Sequence, residues 1–101
     1  MQELALELVD TRRDLEKRLL SKMRSIQRWN TTVTLSTERL EAEQRKLEAT
    51  LKRYETGTTD NLEVTRAKQA MDDAEVSLLD ARINRIVAVA EYQTMIPSDR
   101  Q

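Results

Sequence analysis

The feature that most constrains this chain is a pair of heptad seams that mirror one another about Thr59. One runs through Met23, Ile26, Asn30, Val33, Thr37, Leu40, Gln44, Leu47, Leu51 and Tyr54. The other runs through Val64, Ala67, Met71, Ala74, Leu78, Ala81, Arg85, Ala88, Tyr92 and Met95. Both step by alternating threes and fours, the spacing that keeps one face of a helix against a partner. Folding the chain about residue 59 stacks them in layers: Tyr54 with Val64, Leu51 with Ala67, Leu47 with Met71, Leu40 with Leu78, Ile26 with Tyr92. The pattern predicts an all-α chain, a long antiparallel helical hairpin of coiled-coil type.

The ends of the helices are written locally. The first helix is predicted over residues 3–56, with the only glycine, Gly57, as its left-handed C′ residue. The turn takes residues 57–60. Asp60 can cap the second helix, and Glu63 three residues on would complete a capping box. That helix is predicted over 61–96, ended by the only proline, Pro97, and followed by a polar tail at 97–101. One domain holds it all. The helices are unequal, so residues 1 to about 20 overhang with no partner inside the chain. Their apolar residues (Leu4, Leu8, Leu15, Leu19, Ile26) follow an eleven-residue rhythm that locally unwinds a left-handed supercoil.

The expected layers alternate in kind. Bulky pairs (Leu47–Met71, Leu40–Leu78) alternate with Gln44–Ala74, Thr37–Ala81 and Asn30–Ala88. Alanine every seventh residue lets two backbones approach closely. The facing polar residues help set register, at some cost in stability. Arg85 is the odd member of its seam; snorkelling to the edge or pairing with a carboxylate is the expectation. Trp29, flanking Ile26 and Val33, is expected in the core or at a subunit contact.

A second set of apolar residues lies on the other side. Val76, Leu79, Ile83, Ile86 and Ala90 form a stripe about 200° from the seam of the second helix, at 100° per residue. Leu35, Ala42 and Ala49 repeat on the corresponding side of the first. A two-helix hairpin needs one seam per helix. Apolar residues on opposite faces imply a neighbour on both sides, as in the wall of a helical barrel or a larger bundle. An isolated copy should self-associate.

Composition narrows the chemistry. There is no histidine and no cysteine, which removes zinc sites, histidine acid–base catalysis and thiol nucleophiles. No glycine-rich phosphate loop or nucleophile constellation exists, so no enzyme and no cofactor is expected. Basic and acidic residues nearly cancel (17 against 18), giving no global field toward nucleic acid or anionic membrane. The longest apolar run, Ile86 to Ala90, is far too short to span a membrane, so this segment is expected to make no membrane contact. The start of the chain lacks a secretory pattern, which fits a cytosolic protein or a piece whose signal lies upstream. Asp72, Asp73 and Glu75 point different ways on a helix and read as a solvated face, with no metal. The basic stretch from Arg12 to Arg28 before the leucine heptads invites a basic-zipper reading. Three successive polar seam positions and the matching second helix argue against it, and no nucleic-acid partner is expected.

The turn carries more residue identity than helix termination needs. Arg53-Tyr54, Gly57 three after the tyrosine, then Leu62-Glu63-Val64, with Ala67, Ala74 and Ala81 following, resembles the TolC-like family of outer-membrane efflux proteins. The specific part covers residues 53–81; heptad character extends over most of the chain. The resemblance implies a trimeric channel whose periplasmic helical barrel continues an outer-membrane β-barrel. It also implies that the turn lies at the periplasmic tip, facing a periplasmic adaptor (membrane fusion) protein that links the channel to an inner-membrane pump. Gly57, Thr58, Thr59, Asp60, Asn61 and Leu62 would then form the adaptor-facing tip. Leu40, Leu47, Leu51, Tyr54, Val64, Ala67, Met71, Ala74 and Leu78 would pack the hairpin, and the Val76–Ala90 stripe would pack neighbouring hairpins. Members of that family are several times longer, with strands and two such repeats, so the chain is expected to be one hairpin of such a protein. Its partners would be copies of itself, a trimer in the parent channel and a dimer or more when isolated.

A second reading is a free-standing cytosolic coiled-coil scaffold that pairs into a four-helix bundle. The periplasmic adaptor's own hairpin has the same architecture, but should carry an Arg-Leu-Ser/Thr-acidic tip. Here Arg39-Leu40 lies in mid-helix.

Overall fold

The computed structural model describes residues 2–96 and contains two elements, α1 (Gln2–Glu55) and α2 (Asn61–Met95). They lie antiparallel as an extended hairpin. The expected polar tail at 97–101 falls outside the described residues. α1 has 54 residues, which at 1.5 Å each makes about 81 Å, and the molecule is 83 × 27 × 15 Å. Its length is therefore that of α1 alone, with its thinnest dimension about one helix diameter.

No glycine or proline interrupts α1. Its threonines carry a hydroxyl that could compete with helix formation, yet five of the six direct it back along the helix. Thr31, Thr32, Thr34, Thr37 and Thr50 donate to the carbonyl four residues earlier at 2.8–3.1 Å. α1 ends in a Schellman arrangement: Gly57 N–H donates to Tyr54 O at 3.1 Å and Thr58 N–H to Arg53 O at 2.8 Å. Gly57 has φ 78°, the left-handed conformation this motif requires. At the start of α2, Asp60 is extended and its side chain accepts from Glu63 N–H at 3.0 Å. The reciprocal half of the box is absent, because the Glu63 carboxylate accepts instead from the Thr59 hydroxyl at 2.8 Å.

Burial on α2 follows the three-four seam. Val64, Ala67, Ala74, Leu78, Ala81 and Ala88 are buried, and Met71, Arg85, Tyr92 and Met95 are half-buried. Burial on α1 does not follow its expected seam. Val33 and Thr50 are buried, while Leu19, Lys22, Ile26, Trp29, Ser36, Leu40, Glu43 and Leu47 are half-buried. Met23, Asn30, Gln44, Leu51 and Tyr54, all expected inside, are exposed; Met23 is 45% open, Leu51 36% and Tyr54 47%. Thr37 lies half-buried at the edge. α1 has kept Ile26, Val33, Leu40 and Leu47 but takes its other contacts one residue earlier, turning the helix about its own axis.

That turn also moves the register. From Ile26, α1 now steps by three and then four; α2, read backwards from Ala88, does the same. The seams therefore run level as Ile26 with Ala88, Val33 with Ala81, Ser36 with Leu78, Leu40 with Ala74, Glu43 with Met71, Leu47 with Ala67 and Thr50 with Val64. The centre of the fold is Gly57, not Thr59 as the sequence pattern suggests. Two contacts across the hairpin agree with this register, Lys22–Glu91 at 3.5 Å and Arg85 Nη1 donating to Asn30 Oδ1 at 3.4 Å, while Arg53–Glu63 at 3.6 Å closes the turn and by its position fits either. The physical reason is volume. In this register most layers set a large residue against a small one, Trp29 with Arg85 and Glu43 with Met71 being the exceptions, whereas symmetry about Thr59 stacks leucine on leucine and then glutamine on alanine. Even layers hold two close-packed helices at constant spacing.

Candidate functional site

The turn is built around the carbonyl oxygen of Arg53. It accepts from Thr58 N–H at 2.8 Å and from the hydroxyls of Thr56 and Thr58, both at 3.0 Å. Those hydroxyls lie 3.2 Å apart. The Arg53 side chain crosses the turn to the Glu63 carboxylate, which also holds Thr59. Both ends of the turn are thus tied to the same two residues. Arg53 and Glu63 were not among the expected tip residues, although opposite charges flanking a turn at similar distances were a readable signal.

This network sorts the expected tip residues by what they have left to offer. Gly57 supplies backbone shape. Thr58, Thr59 and Asp60 use their side chains inside the turn. Asn61 and Leu62 are exposed, with no side-chain hydrogen bond among the described residues, and Leu62 is 55% open to solvent. What the tip presents outward is one leucine, one amide and a rigid backbone loop.

The outer faces are open. Val76, Leu79, Ile83 and Ile86 are each more than half exposed on α2, and Ala90 is exposed beside them. Shallow grooves follow this stripe, one lined by Leu40, Val76, Leu78 and Leu79 between Glu75 and Arg82, another by Arg85, Ile86, Val89, Ala90 and Gln93. Leu35, Ala42 and Ala49 are exposed on α1. The α1 overhang shows Leu4, Leu6, Leu8, Val9 and Leu15 to solvent, since Met95, the last residue of α2, is level with Leu19.

The remaining motifs take ordinary places. Arg85 stays half-buried and reaches the exposed Asn30. Trp29 packs on the cluster of Val33, Leu78 and Ala81. In the basic stretch, Arg12 pairs with Glu16 at 3.4 Å and Arg28 donates to Ser25 at 3.1 Å. Among the described residues no group of three or more carboxylates could hold a metal ion, and no helix is long and apolar enough to cross a membrane.

A solvent-exposed apolar stripe thus lies behind a closed seam, and a tightly knit turn ends the hairpin. The chain matches the family model described as outer membrane efflux protein over residues 1–96. It belongs to the outer membrane efflux protein family, and the resemblance to TolC-like proteins read from residues 53–81 extends over nearly its full length. The family is one of transport proteins associated with the outer membrane, not of enzymes. No curated protein and no solved structure matches the chain.

Proposed function

We propose that this hairpin is a wall segment of the periplasmic helical barrel of an efflux channel in a tripartite export system, and that its turn docks the tip of a periplasmic adaptor. The observation that carries this reading is the combination of family membership with apolar residues on both sides of each helix. A hairpin that worked alone would have no use for the Val76–Ile86 stripe. In a ring, that stripe covers the next hairpin, three protomers closing the barrel in the parent channel. At the tip, Leu62 supplies an apolar contact and the Gly57 loop a fixed shape, so docking loses little entropy in ordering the turn.

Binding to the cognate adaptor's hairpin tests the tip assignment. Leu62→Asp and Gly57→Val should keep helicity, read by circular dichroism, and weaken binding about tenfold or more. Unchanged binding by both variants sinks it. A free-standing four-helix scaffold also uses the outer stripe, but it would be indifferent to either tip change.

A further inference from the structure

α1 carries two overlapping seams, and only one is in use. Both contain Ile26, Val33, Leu40 and Leu47. The occupied seam is completed by Lys22, Trp29, Ser36, Glu43 and Thr50; the idle one by Met23, Asn30, Thr37, Gln44, Leu51 and Tyr54. Each has a defect. In the occupied seam, the half-buried Glu43 has one carboxylate oxygen, Oε2, enclosed without a hydrogen-bond partner among the described residues, which costs part of its hydration. The idle seam leaves Met23, Leu51 and Tyr54 a third to a half open to water. α2 offers a single seam and is the fixed rail.

We propose that the hairpin has two registers one helical turn apart, and that the contacts of the turn select between them. Moving α1 by four residues along α2, about 6 Å, and rotating it by roughly 50° exchanges the seams. Leu78 then faces Leu40 instead of Ser36, Met71 faces Leu47 instead of Glu43, and Val64 faces Tyr54 instead of Thr50. Every seam position of α2 keeps a partner. The move releases the Glu43 carboxylate and buries Met23, Leu51 and Tyr54, at the cost of less even layers. Packed helices change register in such discrete steps because intermediate positions set knobs against knobs.

The turn cannot stay unchanged through this move. The centre of the fold passes from Gly57 to Thr59, so Gly57 leaves the C′ position that its φ of 78° serves. Asp60 moves from the start of α2 into the bend, away from Glu63 N–H. The Arg53–Glu63 pair and the hydroxyls gathered on Arg53 O form the latch of the observed register. Coupling of this kind is reciprocal: whatever grips the turn biases the seam, and whatever packs on the seam biases the turn. The inference rests on the hairpin itself and stands whether or not the turn meets an adaptor.

The chain has no cysteine, so introduced pairs report without interference. Leu47→Cys with Ala67→Cys reads the observed register. Gln44→Cys with Ala74→Cys, and separately Thr37→Cys with Ala81→Cys, read the shifted one. Ser36→Cys with Ala74→Cys, both on the seam, reports a slip in the opposite direction and serves as the control for fraying. Each is oxidised in the full chain at high dilution, and the intramolecular disulfide is quantified by mass, since only closely apposed thiols close. The observed-register pair and both shifted-register pairs should close while the control does not. Arg53→Ala should raise the shifted-register yield about two- to fivefold, the scale of a lost exposed ion pair. The proposal is overturned if the shifted pairs stay reduced with and without Arg53→Ala, if they close only between molecules, or if the control closes equally well.

Discussion

α1 and α2 face each other across one seam, yet they were decided in different ways. α2 alternates alanine with a larger residue at every step from Val64 to Tyr92, and its other faces are polar or belong to the outer stripe. Only one face can accept a second backbone closely, and that face is buried. α1 has no such alternation. It offers leucine, valine and isoleucine at one heptad position, flanked on either side by candidates of similar poor quality. A helix with small residues at regular spacing announces its contact face; a helix with large ones leaves the choice to its partner.

This contrast can be broken by mutation, most sharply at the buried positions of α2. Leu78→Ala should cost about 2–4 kcal/mol, as for other buried leucines, whereas Leu51→Ala should cost about 1 kcal/mol because a third of the residue is already open. Denaturant unfolding at fixed protein concentration separates the two, and equal costs would mean that Leu51 is in the seam after all. Ala74 is fully enclosed, at 0% exposure. Ala74→Leu should overpack its layer and lose about 1–3 kcal/mol. The same change at Ala42, on the exposed side of α1, should stay within about 0.5 kcal/mol.

Smaller effects sharpen the comparison further. Gly57→Val finds open space but a forbidden backbone conformation, so it should cost about 1–2 kcal/mol through φ alone. Gly57→Asn should recover much of that loss. Glu43→Leu should act in the opposite direction, raising stability by about 1 kcal/mol, because it removes an unpaired buried oxygen from the α1 seam. A loss of stability in that variant would show that Glu43 has a partner. Ile83→Lys on the outer stripe should leave the melting temperature within a few degrees while reducing self-association in sedimentation; no change in mass would leave the stripe without a neighbour.

The fold was legible because helix caps, heptad spacing and the single glycine are local and agree with one another. Gly57, Asp60 and the seam alanines Ala67, Ala74, Ala81 and Ala88 each have one structural use, and the structure puts each to that use. The candidate tip was legible as a segment but not as a surface. Thr58, Thr59 and Asp60 looked available for docking; the turn consumes their polar groups, and Arg53 and Glu63 hold it together from outside the expected range. Hydrogen bonds inside a turn depend on backbone angles that residue types only bias. The outer stripe was readable because its residues, unlike those of α1's seam, have no competing face.

By itself the sequence determined two unbroken helices, where they stop, that they pair antiparallel, which face of α2 is covered, and the family the chain belongs to. Those follow from periodicity and from residues with few conformational options. Only the tertiary structure decided which of two faces α1 turns inward, that the fold centres on Gly57, and that Glu43 and Thr50 enter the seam while Leu51 and Tyr54 leave it. That choice depends on the summed fit of every layer along the hairpin, large against small, and no single residue or local pattern contains the sum.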